Sequence, residues 1–336
     1  MSTRQITLAI DAMGGEHSPY KNLKGAEIFS KNKPDVNLKL FGNKNIIEKT
    51  LLDNQIKINN YELIDCIENV TDEDNANTIL RSRKDSSIYK ALKYVKGNKD
   101  SGFVSAGNTA ALMILSRLIL GMIEGVDRPA ICSNIPNKNS FSLMMDLGAN
   151  VYVNADNLMQ FALMGYAYFS IIDPKRKPKI GLINIGTENN KGLEFLQEAH
   201  NLLSNSFLKK DFLGFIEPNK ITHGNCDIIL SDGYTGNIIL KTAEGLSDFI
   251  TSNLKDVFKK SLINKLSYKL LEKDLKNFKN QIDPDEYNGA TFLGINGISI
   301  KSHGSANPYA FSCAINKCYD FVLNDLNKKI INNFKS

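Results

Sequence analysis

The sequence predicts an α/β fold, three layers deep (α/β/α), around a mostly parallel sheet. Short apolar runs of strand length are followed, repeatedly, by a polar glycine-bearing turn and then a helix-like run. That order lays parallel strands side by side with helices on both faces. The turns carry Asp, Asn, Ser or Thr beside the glycine, so they sit at strand ends, where open α/β sheets bind ligands. No linker and no internal repeat interrupts the 336 residues. One elaborated catalytic domain over residues 1–336 is therefore expected, with a basic helical excursion at about 249–282.

In chain order, residues 6–10 read as a buried first strand leading into Asp11-Ala12-Met13-Gly14-Gly15, whose glycines let the backbone turn. A helix is expected over 20–30, a strand over 36–42, a helix capped by Asn43, and a strand over 61–66. Residues 69–83 are polar and loop-like and run into the basic cluster Arg81-Ser82-Arg83-Lys84, ordinarily a solvated face. A helix over 87–95 precedes Gly102-Phe103-Val104, which enters Ser105-Ala106-Gly107-Asn108-Thr109. Alone, that turn is most simply a helix cap. Several such turns together favour an anion site, because a helix start offers unpaired N–H groups and the positive end of its dipole.

Strands over 130–134 and 141–145 lead to Asp146-Leu147-Gly148-Ala149-Asn150, and a helix over 158–171 follows. The strand over 179–183 enters Asn184-Ile185-Gly186-Thr187-Glu188, with a helix over 193–203 behind it. The strand over 227–230 enters Ser231-Asp232-Gly233-Tyr234-Thr235-Gly236-Asn237. A last strand delivers Lys301 and His303, two apart and on one side, beside Gly304-Ser305, which opens the final helix.

Composition sets the class. With 42% hydrophobic and 23% charged residues the chain is an ordinary globular protein, and a net charge of +5 is too small to argue for nucleic acid. Cys66, Cys132, Cys226, Cys313 and Cys318 are widely spaced without a C-x-x-C, which fits reduced thiols in the cytoplasm and argues against disulfides or a zinc site. No metal and no cofactor is expected. The first residues show no signal-peptide pattern, and no apolar stretch has the length to span a bilayer. Between Phe249 and Ile282, Leu254, Phe258, Leu262, Leu266 and Leu270 recur every fourth residue, among eight lysines and three acids. Such a helix, or a hairpin of two, lies on an anionic membrane surface or packs on its own protein or a dimer mate. The sequence leaves both open.

The motifs, taken together, resemble those of the bacterial phosphate acyltransferase family, the acyl-carrier-protein:phosphate acyltransferases of phospholipid synthesis. The resemblance rests on Ile10-Asp11-Ala12-Met13-Gly14-Gly15, Phe103 to Thr109, Leu147-Gly148-Ala149-Asn150, Asn184 to Glu188, Asp232 to Asn237, Lys241-Thr242-Ala243-Glu244-Gly245 and Ile300 to Ala306. It implies a fold similar to isocitrate/isopropylmalate dehydrogenases and phosphotransacetylases. It also implies a homodimer, cytoplasmic and peripherally membrane-associated. The implied reaction converts acyl carrier protein thioester and inorganic phosphate to acyl phosphate, which a membrane glycerol-3-phosphate acyltransferase consumes. Glu16, Ala110 and Pro218-Asn219-Lys220 depart from the family pattern, and 287–290 keep one glycine where two are usual.

The residue types suit this chemistry. Phosphate is itself the nucleophile and a thiolate leaves readily, so positioning and oxyanion stabilisation carry the reaction. No G-x-S-x-G elbow and no evident Cys–His pairing is present. Lys301, His303, Asp232 and Asn237 are the catalytic candidates. Gly14, Gly15, Ser105, Ala106, Gly107, Asn108, Thr109, Asn184, Glu188 and Ser305 are the candidates for holding phosphate or substrate. Lys301 offsets phosphate charge, and His303 binds or moves a proton. Asp11 and Asp146 brace turns, since a carboxylate repels phosphate. The turn at 105–109 holds either phosphate or the donor's phosphopantetheine arm. Arg81, Arg83, Lys84 and the lysine-rich stretch are candidate docking sites for the acidic carrier. The rival readings are a phosphotransacetylase-like enzyme using acyl-CoA, a nicotinamide-dependent dehydrogenase and a membrane scaffold. The dehydrogenase lacks its aspartate set and adenosine loop here, and a scaffold has no use for so many polar turns.

Overall fold

The computed structural model describes residues 4–68, 70, 74, 76–275 and 288–335. Its first half runs β1 (Thr7–Asp11), α1 (Tyr20–Asn32), β2 (Asn37–Gly42), α2 (Lys44–Asp53), β3 (Tyr61–Asp65), α3 (Ala76–Ser82), α4 (Ser87–Gly97), β4 (Ser101–Ser105), α5 (Thr109–Leu120), β5 (Ala130–Pro136) and β6 (Phe141–Met145). It continues with α6 (Ala155–Ile172), β7 (Ile180–Ile183), α7 (Glu194–Asn205), β8 (Phe212–Ile216), β9 (Ile228–Leu230), α8 (Gly233–Lys259), α9 (Leu262–Leu270), β10 (Ala290–Leu293), β11 (Ile298–Lys301), α10 (Pro308–Leu323) and α11 (Leu326–Lys335).

The strands read as apolar runs because both faces of the sheet are covered. Leu8 and Ile10 enter one core, with α1, α6, α7, α10 and α11, while Ala9 between them enters the other, with α3, α4 and α5. Phe103 and Val104 in β4, and Met144 and Met145 in β6, divide between the two cores in the same way. This is the expected three-layer α/β/α arrangement.

Eleven strands form one sheet in the order β3-β2-β1-β4-β11-β10-β5-β6-β9-β7-β8. Neighbours are parallel except at the adjoining pairings β11–β10, β10–β5 and β5–β6. These successive reversals turn the direction over. β1, β4 and β11 run one way, and β6, β9 and β7 run the other. Strand ends that alternate evenly in sequence therefore fall on two opposite edges of the sheet.

Four local readings are corrected. β8 and β10 are strands that the turn pattern does not announce. Within 69–83 the structure has a helix, α3, anchored by fully buried Ile79; residues 69, 71–73 and 75 lie outside the described residues. Gly304-Ser305 does not open the helix that follows, and that helix is not the final one: α10 begins at Pro308, with Asn307 accepting the Ala310 N–H at 2.9 Å, and α11 comes after it. The basic excursion starts at Gly233 rather than near 249. α8 and α9 form a hairpin closed by a Phe258–Tyr268 edge contact and an Asn264 Nδ2 bond to the Val257 carbonyl. In α8 only Gly233 and Gly236 are buried, and nothing in α9 is. Residues 276–282 of the expected excursion lie outside the described residues. Among the described residues no helix is long and apolar enough to cross a membrane.

Candidate active site

One edge gathers the ends of β1, β4 and β11. β1 ends in Asp11, which is completely buried, and the Ser105 hydroxyl at the end of β4 donates to its Oδ2 at 2.6 Å. Gly107 N–H donates in turn to Ser105 Oγ at 3.0 Å, and Met13 N–H to Asp11 Oδ1 at 3.1 Å. A Cβ on Gly14 would lie 2.5 Å from Asp11 Oδ2 and 2.7 Å from Gly107 N, so only glycine lets these turns meet. Asn22 of α1 ties the first turn down, donating to the carbonyls of Asp11, Ala12 and Gly14. Asn108 is spent as the cap of α5, accepting the Ala111 N–H at 3.0 Å. Thr109, exposed, is the first residue of that helix, whose opening N–H groups have no partner within it. Burial raises the Asp11 carboxyl above its ordinary pKa, opposed by the hydroxyls of Ser105 and Ser87 and by nearby N–H groups. Asp11 braces turns, as its residue type suggested.

Backbone bonds stitch the turns together. Ser302 N–H donates to the Ser105 carbonyl at 2.8 Å, and Glu16 N–H to the Gly304 carbonyl at 2.9 Å. Two lysines enter the same junction. Lys301, at the end of β11 and buried, donates Nζ to the Ser302 carbonyl and, at 3.4 Å, to that of Ala106. Lys21, only 2% exposed, donates to the Gly304 carbonyl at 2.5 Å. A Cβ on Gly15 would lie 2.9 Å from Lys21 Nζ and 3.0 Å from the Ala106 carbonyl oxygen, which fixes how closely the lysine, the glycine turn and the β4 turn approach. Burial lowers the Lys21 pKa, and the nearby Glu16 charge opposes that. Lys21 is the functional candidate that motif reading missed. The signal was present, because Lys21, Gly25 and Phe29 share one helix stripe, and a lysine on a core-facing stripe is unusual.

His303 lies beyond the end of β11 and is exposed, so it does not sit beside Lys301 on the strand as expected. Its N–H is held by Asn288 Oδ1 at 3.0 Å, while Asn288 Nδ2 bonds Ser302 Oγ and the Ala310 carbonyl. The ring Nδ1 lies 2.8 Å from Ser305 Oγ and accepts the Ser305 N–H at 3.3 Å. A nitrogen that accepts an N–H carries no proton, so the neutral ring carries its proton on Nε2. Ser305 thus contacts the His303 ring through both its hydroxyl and its backbone N–H.

The other four candidates lie at the opposite edge. Asp232 caps α8, accepting Thr235 N–H at 2.8 Å and Thr235 Oγ1 at 2.7 Å. Asn237 faces Gly148 in the turn after β6. Asn184 closes its own turn, donating to the Lys191 carbonyl and accepting the Ile185 N–H. Glu188 pairs with Lys191 at 2.7 Å on the surface, and that bond lowers its pKa. The hub of this edge is Asp146, fully buried. It accepts the N–H groups of Ile131, Gly148, Ala149 and Asn150 and the Asn150 side-chain amide, at 2.7–3.2 Å. The structure thus brings together Gly14, Gly15, residues 105–109, Lys301, His303 and Ser305. It leaves Asp232, Asn237, Asn184 and Glu188 apart, because β6, β9 and β7 run against β1, β4 and β11.

The first edge thus holds two lysine ammoniums, the N-terminal end of α5 and the His303 imidazole. In fold the chain is similar to a phosphotransacetylase from Streptococcus pyogenes, with a TM-score of 0.65 at 14% identity, over 95% of this chain and 94% of that one. Residues 6–329 match the family described as "Fatty acid synthesis protein". A phosphate acyltransferase from Paraburkholderia xenovorans is 40% identical over 328 residues, covering 97% of this chain and 88% of the relative. One from Clostridium tetani is 39% identical over 332 residues, covering 97% and 98%. The chain belongs to this family and is an acyltransferase.

Proposed function

We propose that the protein transfers a fatty acyl group from the thioester of acyl carrier protein to inorganic phosphate, giving acyl phosphate for phospholipid synthesis. The observation that carries this is the meeting of two buried lysine ammoniums, Lys21 and Lys301, with the turns of β1, β4 and β11. A phosphate bound there gains charge-assisted hydrogen bonds from both ammoniums. One phosphate oxygen attacks the thioester carbon, the C–S bond breaks, and its electron pair stays on sulfur. The proton that phosphate gives up passes to the thiolate within the site, while His303 Nε2–H hydrogen-bonds the thioester oxygen as it becomes an oxyanion, without leaving the ring. The exposed start of α5 and Lys301 stabilise the oxyanion between these steps. No covalent enzyme intermediate is required. Asp232, Asn237, Asn184 and Glu188 hold the second edge and take no part.

The partners follow the same reading. Leu262, Ile263, Leu266 and Leu270 are 62–83% exposed on α9 among lysines, which supports docking of that helix on an anionic membrane surface. There the product can pass to a membrane glycerol-3-phosphate acyltransferase. Exposed Tyr234, Ile238, Leu246, Phe249 and Ile250 along α8 support a homodimer.

The test is acyl phosphate formation by the purified protein, trapped with hydroxylamine, with acyl carrier protein and coenzyme A thioesters as donors in parallel. The carrier thioester is expected to be the better donor. Preference for acyl-CoA replaces this reading with a phosphotransacetylase-like one, and no product from either donor rejects both. For the membrane role, L262E/L266E is expected to abolish binding to anionic liposomes; unchanged binding rejects it.

A further inference from the structure

His303 is exposed, yet the side chain that fixes its main chain is buried. Asn288, 9% exposed, stands two residues before β10. Its Oδ1 accepts the His303 N–H at 3.0 Å, and its Nδ2 donates at 2.8 Å to the Ser302 hydroxyl and at 2.8 Å to the Ala310 carbonyl. An N–H only donates and a carbonyl only accepts, so a single orientation of the amide satisfies both. An aspartate here has no donor for Ala310, and a serine is too short to span all three groups. α10 holds this corner from two places. Ala310 takes the amide, and two turns further on the buried Lys317 ammonium donates to the Gly289 carbonyl at 2.8 Å. The corner packs closely: a Cβ on Gly289 would lie 3.2 Å from Ala314 Cα. In a stretch, 287–290, that keeps one glycine where two are usual, this chain puts a side chain at Asn288. The neighbours of His303 in its turn are tied to the site itself, Ser302 N–H to the Ser105 carbonyl and the Gly304 carbonyl to Glu16 N–H and Lys21 Nζ. His303 N–H is instead tied to α10, through Asn288.

We infer that Asn288 is a positioning residue for the reaction: by holding the His303 N–H it sets the direction of the imidazole whose Nε2–H meets the developing oxyanion. This rests on the acyl-transfer reading above and adds what aims that donor. With the backbone nitrogen held by Asn288 and ring Nδ1 in contact with Ser305, the imidazole is fixed at both ends and Nε2 has one direction to point. A donor serves a transition state best when its direction is set beforehand, and a misplacement of about 1 Å costs on the order of 10²-fold in rate. Asn288 acts through His303, so its effect on turnover exists only while the imidazole is present.

The experiment is a double-mutant cycle of Asn288→Ala with His303→Ala, assayed for acyl phosphate formation. Asn288→Ala is expected to lower kcat by about 10- to 100-fold and to leave phosphate KM within about twofold, because Lys21 and Lys301 are untouched. In the His303→Ala background the same substitution is expected to change kcat by less than about twofold. An asparagine that is only structural lowers kcat by the same factor in both backgrounds, and that result overturns the assignment. So does an N288A protein with wild-type kcat, or one less active than H303A. The ring is read directly from nitrogen-15 spectra of the four histidines, His303 being the signal that H303A lacks. The wild-type ring is expected as the Nε2–H tautomer and the N288A ring as a mixture of tautomers; an unchanged ring in N288A overturns the assignment. If N288A does not fold, Asn288→Ser, which also loses both Nδ2 bonds, takes its place with the same expectations. If the wild type turns over no donor, the function reading fails, and the spectra alone decide whether Asn288 sets the ring.

Discussion

The two edges of the sheet use the same sequence device for different ends. Both carry a buried aspartate at a strand's end followed by a glycine turn: Asp11, the last residue of β1, with Gly14, and Asp146, the residue after β6, with Gly148. At the second edge the aspartate is itself the anion in the nest of N–H groups, with four backbone donors and one amide converging on it. That turn is already filled. At the first edge Asp11 takes a hydroxyl and few N–H groups, and two lysines are brought in whose ammoniums rest on carbonyl oxygens. That edge carries the ammoniums of Lys21 and Lys301 beside its turns. An acid-and-glycine turn is thus a structural plug at one edge and, in the function proposed above, half of a binding site at the other.

Activity separates the edges most sharply. Lys301→Ala is expected to lower kcat for acyl phosphate formation by about 10²–10³, the loss typical of removing one preorganised electrostatic contact to a transition state. Asp232→Ala and Asn237→Ala are expected to stay within about threefold, since each loses a cap or a turn contact away from the reacting atoms. Steady-state assays on the three variants check this. A large loss in Asn237→Ala with Lys301→Ala near wild type would reverse the assignment of the edges.

Stability separates them the other way. Asp146→Asn sets an amide NH₂ against partners that are all donors, so at least one buried N–H is orphaned; a loss of about 3 kcal/mol is expected in urea unfolding. Gly236→Ala acts on the same plug, because its Cβ would lie 1.9 Å from the Asp146 carbonyl oxygen. It is expected to cost about 2 kcal/mol, with kcat little changed. Gly14→Ala makes the mirror case. Its Cβ pushes apart Asp11 and Gly107 beside the proposed phosphate, so phosphate KM is expected to rise about tenfold with a smaller loss of stability. If Gly14→Ala shifts only the unfolding midpoint, the first edge is a plug as well.

What the sequence conveyed, and what it did not, follows from the range of each signal. Turns, caps and apolar runs are local, so β1, β4, β7 and β9, the cap at Asn43 and the bracing role of Asp11 were all legible. Strand direction is not local. It depends on how β5 pairs with β6: the two antiparallel pairings of β10 cancel, leaving β5 parallel to β11, and the antiparallel β5–β6 pairing then reverses the direction. Read with β5 and β6 parallel, the chain is one parallel sheet whose turns share an edge, and Asn184, Glu188, Asp232 and Asn237 seem to join Lys301. Lys21 was hidden for another reason. It lies inside a helix, where motif reading does not look, and shows itself only as a lysine on the Gly25–Phe29 stripe that packs on α10.

The smallest expected difference tests whether Asp11 is the more forgiving of the two aspartates. Its principal side-chain partner is a hydroxyl, which can reverse to accept from an amide, so Asp11→Asn is expected to cost only about 1 kcal/mol near pH 4. The pH dependence has a definite sign. Burial raises the folded pKa of Asp11 above its unfolded value, so the fold binds this proton more tightly than the unfolded chain does. Its contribution is fully present below the unfolded pKa, about 4, and is lost as pH rises through the folded pKa. Asn does not titrate. The gap between wild type and Asp11→Asn should therefore narrow from pH 4 towards pH 7. Urea unfolding of both proteins across that range measures it, and a gap that widens with pH would mean that the carboxylate, not the carboxylic acid, is the form the fold prefers at Asp11.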